Sequence, residues 1–298
     1  MALRYEWPNN AKLALSIVVN VEEGAEMSLA EGDKKPEPVD ELGIALQIPI
    51  RNYVNESNYQ YGINAGGPRV LDLLSANQIP TTFTAAAVSL ERAPKLTERI
   101  VADGHEVCAH GWRWVHQFSF KEDKERDFIR SAADCIERST GTRPAGWLSR
   151  YLHTDRTRRL LLEEGFTYHM DDVSDDLPKW EHIIMSDGTY RPIVCVPYAI
   201  DTNDMKFWTS PSYTPDQWLT YLVNSLDWLL AETETQGPRM LSVGVHLRII
   251  GRPGRIWALA KFLDYAKSKP GVWFAKRADI ARLFAEQNPK NAHAQSPS

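Results

Sequence analysis

Breaking an amide bond calls for a base to activate water, a donor for the oxygen that gathers negative charge, and an acid for the departing nitrogen. The chain carries residue types for all three. Glu22 and Glu23 stand side by side, and Glu22 suits the base if burial raises its pKa. His110 follows a short apolar run, and His246, after Ser242-Val243-Gly244-Val245, suits an acid or an oxyanion donor. Arg150 and Arg248 can each hold a carbonyl or carboxylate through two parallel hydrogen bonds, which lysine cannot reproduce. Asp201 or Asn203 can accept from ring N–H groups, and Asp171 is a further substrate-binding candidate. Trp112 and Trp114 lie among these polar positions, and aromatic walls suit a flat or ring-shaped small ligand.

These residues share one placement: each group comes just past the end of a short apolar run. Leu13–Val21 leads into Glu22 and Glu23, His105–Ala109 into His110, and Gly146–Leu148 into Ser149 and Arg150. Thr167–Met170 leads into Asp171 and Asp172, and Met240–Val245 into His246. Such runs, separated by segments of helical periodicity, read as buried parallel strands alternating with helices. The pattern predicts helices over Gly67–Asn77, Pro94–Ala102, Glu122–Thr140, Asp155–Glu164, Asp216–Glu232 and Arg255–Lys267. In a barrel built this way, active sites form at the carboxyl ends of the strands. Residues 25–66 lack clear periodicity, and a connection of that length is expected to be functional or to carry subunit contacts.

The composition narrows the classes. A length of 298 residues with 43% hydrophobic side chains supports one large core. The net charge of −5, with no cluster of Lys or Arg, argues against a nucleic-acid partner. No apolar stretch is long enough to span a bilayer, and the polar N-terminus lacks an export segment, so a cytoplasmic protein is expected. Cys108, Cys135 and Cys195 have neither metal nor disulfide spacing. One catalytic domain over 1–287 is expected, followed by a disordered polar tail over 288–298.

The order of the polar groups resembles the polysaccharide deacetylase superfamily, over roughly Leu13 to Phe284. The motifs are an acidic pair after the first strand, Ala109-His110-Gly111-Trp112, an Arg-Pro followed by an Arg, and a late Val245-His246. Five strings look like its allantoinase-type branch: 20–24 (Asn-Val-Glu-Glu-Gly), 110–114 (His-Gly-Trp-Arg-Trp), 175–178 (Asp-Asp-Leu-Pro), 201–205 (Asp-Thr-Asn-Asp-Met) and 250–255 (Ile-Gly-Arg-Pro-Gly-Arg). The resemblance implies a deformed parallel (β/α) barrel of the polysaccharide-deacetylase type. It also implies hydrolysis of a C–N bond, allantoin being the first candidate among small cyclic amides, ureides and imides. Homo-oligomers are expected in this branch.

The chain departs from the deacetylase pattern. The family's acidic pair is Asp-Asp, whereas the matching positions here are Asn20 and Glu22, or Glu22 and Glu23. Its metal-binding histidine is followed four residues later by another, and here that place holds Trp114. A zinc kept by Glu22, His110 and His116 is one reading. The preferred one is metal-free, with Glu22 or Glu23 working with His110 and His246 as acid and base. Residues 148–153 (Leu-Ser-Arg-Tyr-Leu-His) stand where allantoinase-like members are expected to carry Gly-Arg-Thr-Ser, and His116 replaces an expected acid. A metal-dependent deacetylase of an N-acetylated sugar or amine, and an inactive binding homologue, are the alternatives. His116, His153 and His169 are expected at the surface or in loops, and Asp155 as a helix N-cap.

Overall fold

The computed structural model describes residues 3–46 and 48–289, so the expected polar tail lies, from residue 290 on, outside the described residues. Asn288, where that tail was expected to begin, is tied down: its side chain pairs with the backbone of Arg4.

The chain opens with β1 (Leu13–Val21), α1 (Tyr53–Tyr61), α2 (Gly67–Asn77), β2 (Thr82–Ala85), α3 (Ala87–Arg92), α4 (Pro94–Ala102) and β3 (Glu106–Ala109). Then come α5 (Glu122–Thr140), β4 (Gly146–Trp147), α6 (Thr157–Glu163), β5 (Tyr168–His169), β6 (Lys179–Ile184) and β7 (Tyr190–Cys195). The last part holds α7 (Pro215–Gln236), β8 (Arg239–His246), α8 (Leu247–Ile250), α9 (Pro253–Ser268), β9 (Val272–Phe274) and α10 (Arg277–Gln287).

The strands form one sheet in the order β6-β7-β5-β4-β3-β2-β1-β8, with β9 beside the start of β1. Every pairing is parallel except that of β6 with β7. All of β1 and β8 is buried, which is why both read as continuous runs with no alternation. Helices cover the outer face, and Phe83, Trp147, Trp218 and Phe262 are among the largest side chains sealed in the core.

The fold is the expected deformed (β/α) barrel, and the sheet is not strictly closed: no ladder joins β7 to β8 among the described residues. Side chains stitch that seam. Buried Arg277 donates to the Val196 and Pro197 carbonyls at 3.2 and 2.7 Å on one side and to Ser242 Oγ on the other. Thr202 Oγ1 donates to the Ser242 carbonyl at 2.6 Å.

The sequence reading missed β6, α1 and the short helices. β6 is an edge strand with no fully buried residue, so it produces no apolar run. In α1 the polar string Tyr-Val-Asn-Glu-Ser-Asn-Tyr-Gln-Tyr buries only Asn55 and Tyr59. Asp155 does not cap α6. The Thr154 hydroxyl takes the Arg156 N–H at 3.2 Å instead, and the helix starts at Thr157.

Gly146 and Tyr168 are register partners across β4 and β5, and a methyl group on Gly146 would land inside the Tyr168 ring. Gly146→Ala is expected to lower stability by ~1–3 kcal/mol through overpacking. Gly254→Ala, where the added methyl meets open space, should stay within ~0.5 kcal/mol. Denaturant titration of both variants checks the contrast, and equal losses would contradict it.

Candidate active site

A cavity of about 330 Å³ opens at the carboxyl ends of the strands. Each wall residue follows from strand position: Asn20 and Glu22 at the end of β1, His110 after β3, and Leu148, Ser149 and Arg150 after β4. Asp171 follows β5, Tyr198 and Asn203 come from the connection after β7, and His246 ends β8. Trp114 and Tyr151 complete the enclosure.

Glu22 is the centre of its electrostatics. Its Oε2 accepts from Arg248 Nη1 at 2.8 Å, while Oε1 lies 3.3 Å from His246 Nε2 and 3.6 Å from His110 Nε2. Burial opposes the charge, as the sequence reading assumed. The Arg248 guanidinium and the His246 imidazolium, which also hydrogen-bonds the carboxylate, overcome it and hold the carboxyl well below the usual carboxylate range. Glu22 is therefore an anion, not a carboxyl poised near neutrality.

His246 shifts the other way. Burial alone would lower its pKa, but Glu22 and Asp204 on either side raise it to about 10. Asp204 Oδ1 lies 2.7 Å from His246 Nδ1, and its Oδ2 accepts the backbone N–H groups of His246 and Ile250 at 2.8 and 3.1 Å. His246 is thus a fixed imidazolium whose Nε2–H faces Glu22.

His110 is used differently. Its Nδ1 donates to the Leu148 carbonyl at 2.7 Å, and its Nε2 accepts from the Trp114 indole N–H at 3.1 Å. One donating and one accepting nitrogen is the pattern of a neutral imidazole. The indole hydrogen occupies the lone pair that a cation would need. The residues present therefore do not fit the divalent metal associated with the deacetylase pattern. Glu22 already has a guanidinium at contact distance, His110 Nε2 is capped, and His116 Nδ1 turns away to the Arg150 carbonyl at 3.0 Å. Glu22, His110 and His116 do not gather as a ligand set among the described residues.

A different trio, His169, Glu181 and Cys195, does bring its ligand atoms within 4.8 Å of one another. There the Asp171 N–H donates to His169 Nδ1, which places the ring proton on Nε2, and Arg158 Nε is 2.6 Å from Glu181. That trio is an ion-pair cluster, and His169 is buried, not at the surface as expected.

Other expected site residues sit outside the cavity. Both Glu23 oxygens are taken by backbone amides, those of Glu22 at 3.0 Å and Arg248 at 3.1 Å, so Glu23 orients the loop and does not face the substrate space. Trp112 is largely exposed and is not in the wall. Asp201 accepts from Tyr221 at 2.7 Å and lines a neighbouring cleft. Arg248 stands behind Glu22 as its counter-ion. Arg150 reaches the wall, but its guanidinium is committed to Glu37 at 2.5 and 3.0 Å and stacks on Trp114. The Asp171 carboxylate is bound by the backbone N–H and hydroxyl of Ser149 at 2.6 and 2.7 Å.

Sequence reasoning gave no site role to Asp204, Tyr198 or Glu37, and Asn20 entered only as a possible counterpart of the family's acidic pair. A carboxylate that orients a histidine is a recurring device, so the Asn203-Asp204 pair after a strand offered a usable signal. Nothing in the sequence pointed to Glu37, which lies far from any strand end.

The raised pKa of His246 makes stability pH-dependent. With a folded value of about 10 and an unfolded value of ~6.5, its stabilisation is complete below ~6.5 and is lost as pH rises through about 10. The stability gap between the wild type and His246→Gln should shrink as pH climbs from ~6.5 to ~10. Denaturant midpoints across that range test this, and a constant gap would contradict it.

The polysaccharide deacetylase family model matches residues 57–169. A Schizosaccharomyces pombe protein assigned as a polysaccharide deacetylase is 31% identical, over 96% of this chain and 94% of its own. Two crystal structures superpose nearly end to end. A Pseudomonas aeruginosa chain described as a polysaccharide deacetylase gives a TM-score of 0.89 at 40% identity, covering 96% of this chain and 95% of that one. PuuE allantoinase gives 0.90 at 41% identity, covering 96% and 94%. With these matches running from end to end, the chain belongs to the polysaccharide deacetylase family of hydrolases and is consistent with its allantoinase-type branch.

Proposed function

We propose that the protein hydrolyses a C–N bond in a small cyclic amide, ureide or imide, with allantoin the first candidate, and does so without a metal. The observation that carries this reading is the Glu22–His246 pair, an anion and an imidazolium 3.3 Å apart on the wall of a small cavity. Its volume of about 330 Å³ lies at the low end for small-molecule sites. That size suits a single ring better than an extended glycan. The likeness to PuuE allantoinase supports the same substrate class.

The chain's own groups supply the steps. Glu22 accepts a proton from water, whose oxygen adds to the carbonyl carbon, and the carbonyl electron pair moves onto its oxygen. When that intermediate collapses the C–N bond breaks, and His246 gives its Nε2 proton to the departing nitrogen. Glu22, now protonated, returns the proton to His246 across the same 3.3 Å contact. Asp204 keeps the imidazole in the orientation that both transfers need. A carboxylate held so far down is a weak base alone.

Two experiments test the reading. A panel of allantoin, hydantoins, cyclic imides and acetylated chito-oligomers is expected to show turnover of ring substrates only, undiminished by exhaustive chelation. Turnover of the acetylated glycan alone, or activity lost on chelation and restored by stoichiometric zinc, would favour a metal-dependent deacetylase. Separately, His246→Ala should cut turnover by ~10²-fold or more. Unchanged turnover would remove His246 from the mechanism.

A further inference from the structure

Tyr198 stands on the cavity wall with its hydroxyl in an unusual state. Asn20 Nδ2 reaches its Oη at 3.1 Å and Asn203 Nδ2 at 3.0 Å. Both amides are locked in the donating sense. Asn20 Nδ2 also donates to the Val245 carbonyl at 3.1 Å, while its Oδ1 accepts from Thr84 Oγ1 at 2.7 Å. Asn203 Oδ1 accepts the Met205 N–H at 2.9 Å, which leaves only its NH₂ for the phenol. Two N–H groups therefore fill the acceptor capacity of the Tyr198 oxygen. Its own hydrogen cannot point at either amide, so it is free for a third partner.

We propose that the Tyr198 hydroxyl donates this hydrogen bond to the carbonyl oxygen of the substrate and holds it as negative charge develops there. Tyr198, Asn20, Glu22 and His246 all line the same cavity, so donor, base and acid surround one space. Burial pushes the phenol upward, so it keeps its proton and acts as a donor without transferring it. The two amides make the donor stronger, because a hydroxyl that accepts hydrogen bonds is polarised toward giving its own. Room for this arrangement comes from Gly244 on β8, where a side-chain carbon would collide with the Tyr198 oxygen and crowd the Asn203 amide. The ligand class implied is one with a carbonyl acceptor set between Glu22 and the tyrosine, so the inference rests on the amide-hydrolase reading.

The test uses Tyr198→Phe, which keeps the ring and removes only the hydroxyl, with oxygen and sulfur forms of one substrate. A thiocarbonyl accepts hydrogen bonds poorly, so swapping oxygen for sulfur probes the donor from the ligand's side. Wild-type protein should prefer hydantoin over its thio analogue both in binding and in kcat/KM, and Tyr198→Phe should lose both preferences together with ~10²-fold of kcat/KM on hydantoin. If the tyrosine merely supported Asn20 and Asn203, kcat would fall but the oxygen-to-sulfur ratio would stay at the wild-type value, which overturns the proposal. Calorimetric binding of the same two ligands gives the ratio without turnover. Hydantoin that binds with the expected ratio but is never hydrolysed would sink the hydrolase reading and leave the tyrosine assignment supported. No binding of either ligand by the wild type would overturn both.

Discussion

The whole site depends on keeping one carboxylate charged inside the protein. Glu22 is almost completely buried, and an isolated anion there would be strongly unfavourable. Arg248 meets it from behind and His246 from the side, and Asp204 balances His246 in turn. Two anions and two cations thus form a compact group of near-zero net charge. Glu23 belongs to the same cluster, and burial with the Glu22 charge pushes its carboxyl upward. Removing any one member leaves another uncompensated, so these positions constrain one another.

Trp114 acts on this cluster in two ways. Its N–H closes the accepting nitrogen of His110, and its ring carries the Arg150 guanidinium on one face, with Tyr59 packed nearby. Arg150 in turn holds Glu37, which belongs to the long segment after β1. Asn55 and Tyr59 bond the Val39 carbonyl, and Arg113 pairs with Asp33. The aperiodic segment is therefore folded over the site by polar contacts together with a small apolar cluster of Ala25, Val39 and Tyr59 around Trp114, not by a periodic apolar face. A chain held in that way carries no periodic signature, which is why its path could not be read from the sequence.

What could be read follows the same physical division. β1, β8, α2, α4 and α5 were legible because continuous burial or one-sided burial leaves an apolar pattern, and those patterns placed Glu22, His110 and His246 at one rim. The choice between Glu22 and Glu23 was not legible. Adjacent residues differ in direction by the local turn alone, and only the structure shows Glu23 committed to two backbone amides. The protonation states were also hidden. Burial was anticipated for Glu22, but the sign of its shift is set by Arg248, a residue 226 positions away in the chain.

The gap between β8 and the connection that follows β7 links fold to chemistry. β7 itself is paired on both sides, with β5 and β6, and no ladder joins that connection to β8 among the described residues; it supplies Tyr198, Asn203 and Asp204. Each of them bonds at the seam: Asn203 and Asn20 to the Tyr198 oxygen, Asp204 to the His246 and Ile250 amides. On the far side of the same gap Arg277 and Thr202 hold Ser242. The groups that orient His246 therefore also bridge a gap that no sheet ladder closes. Substitutions there should change stability and turnover together, whereas His110, reached through an intact parallel strand, can be altered with less effect on the closure of the barrel.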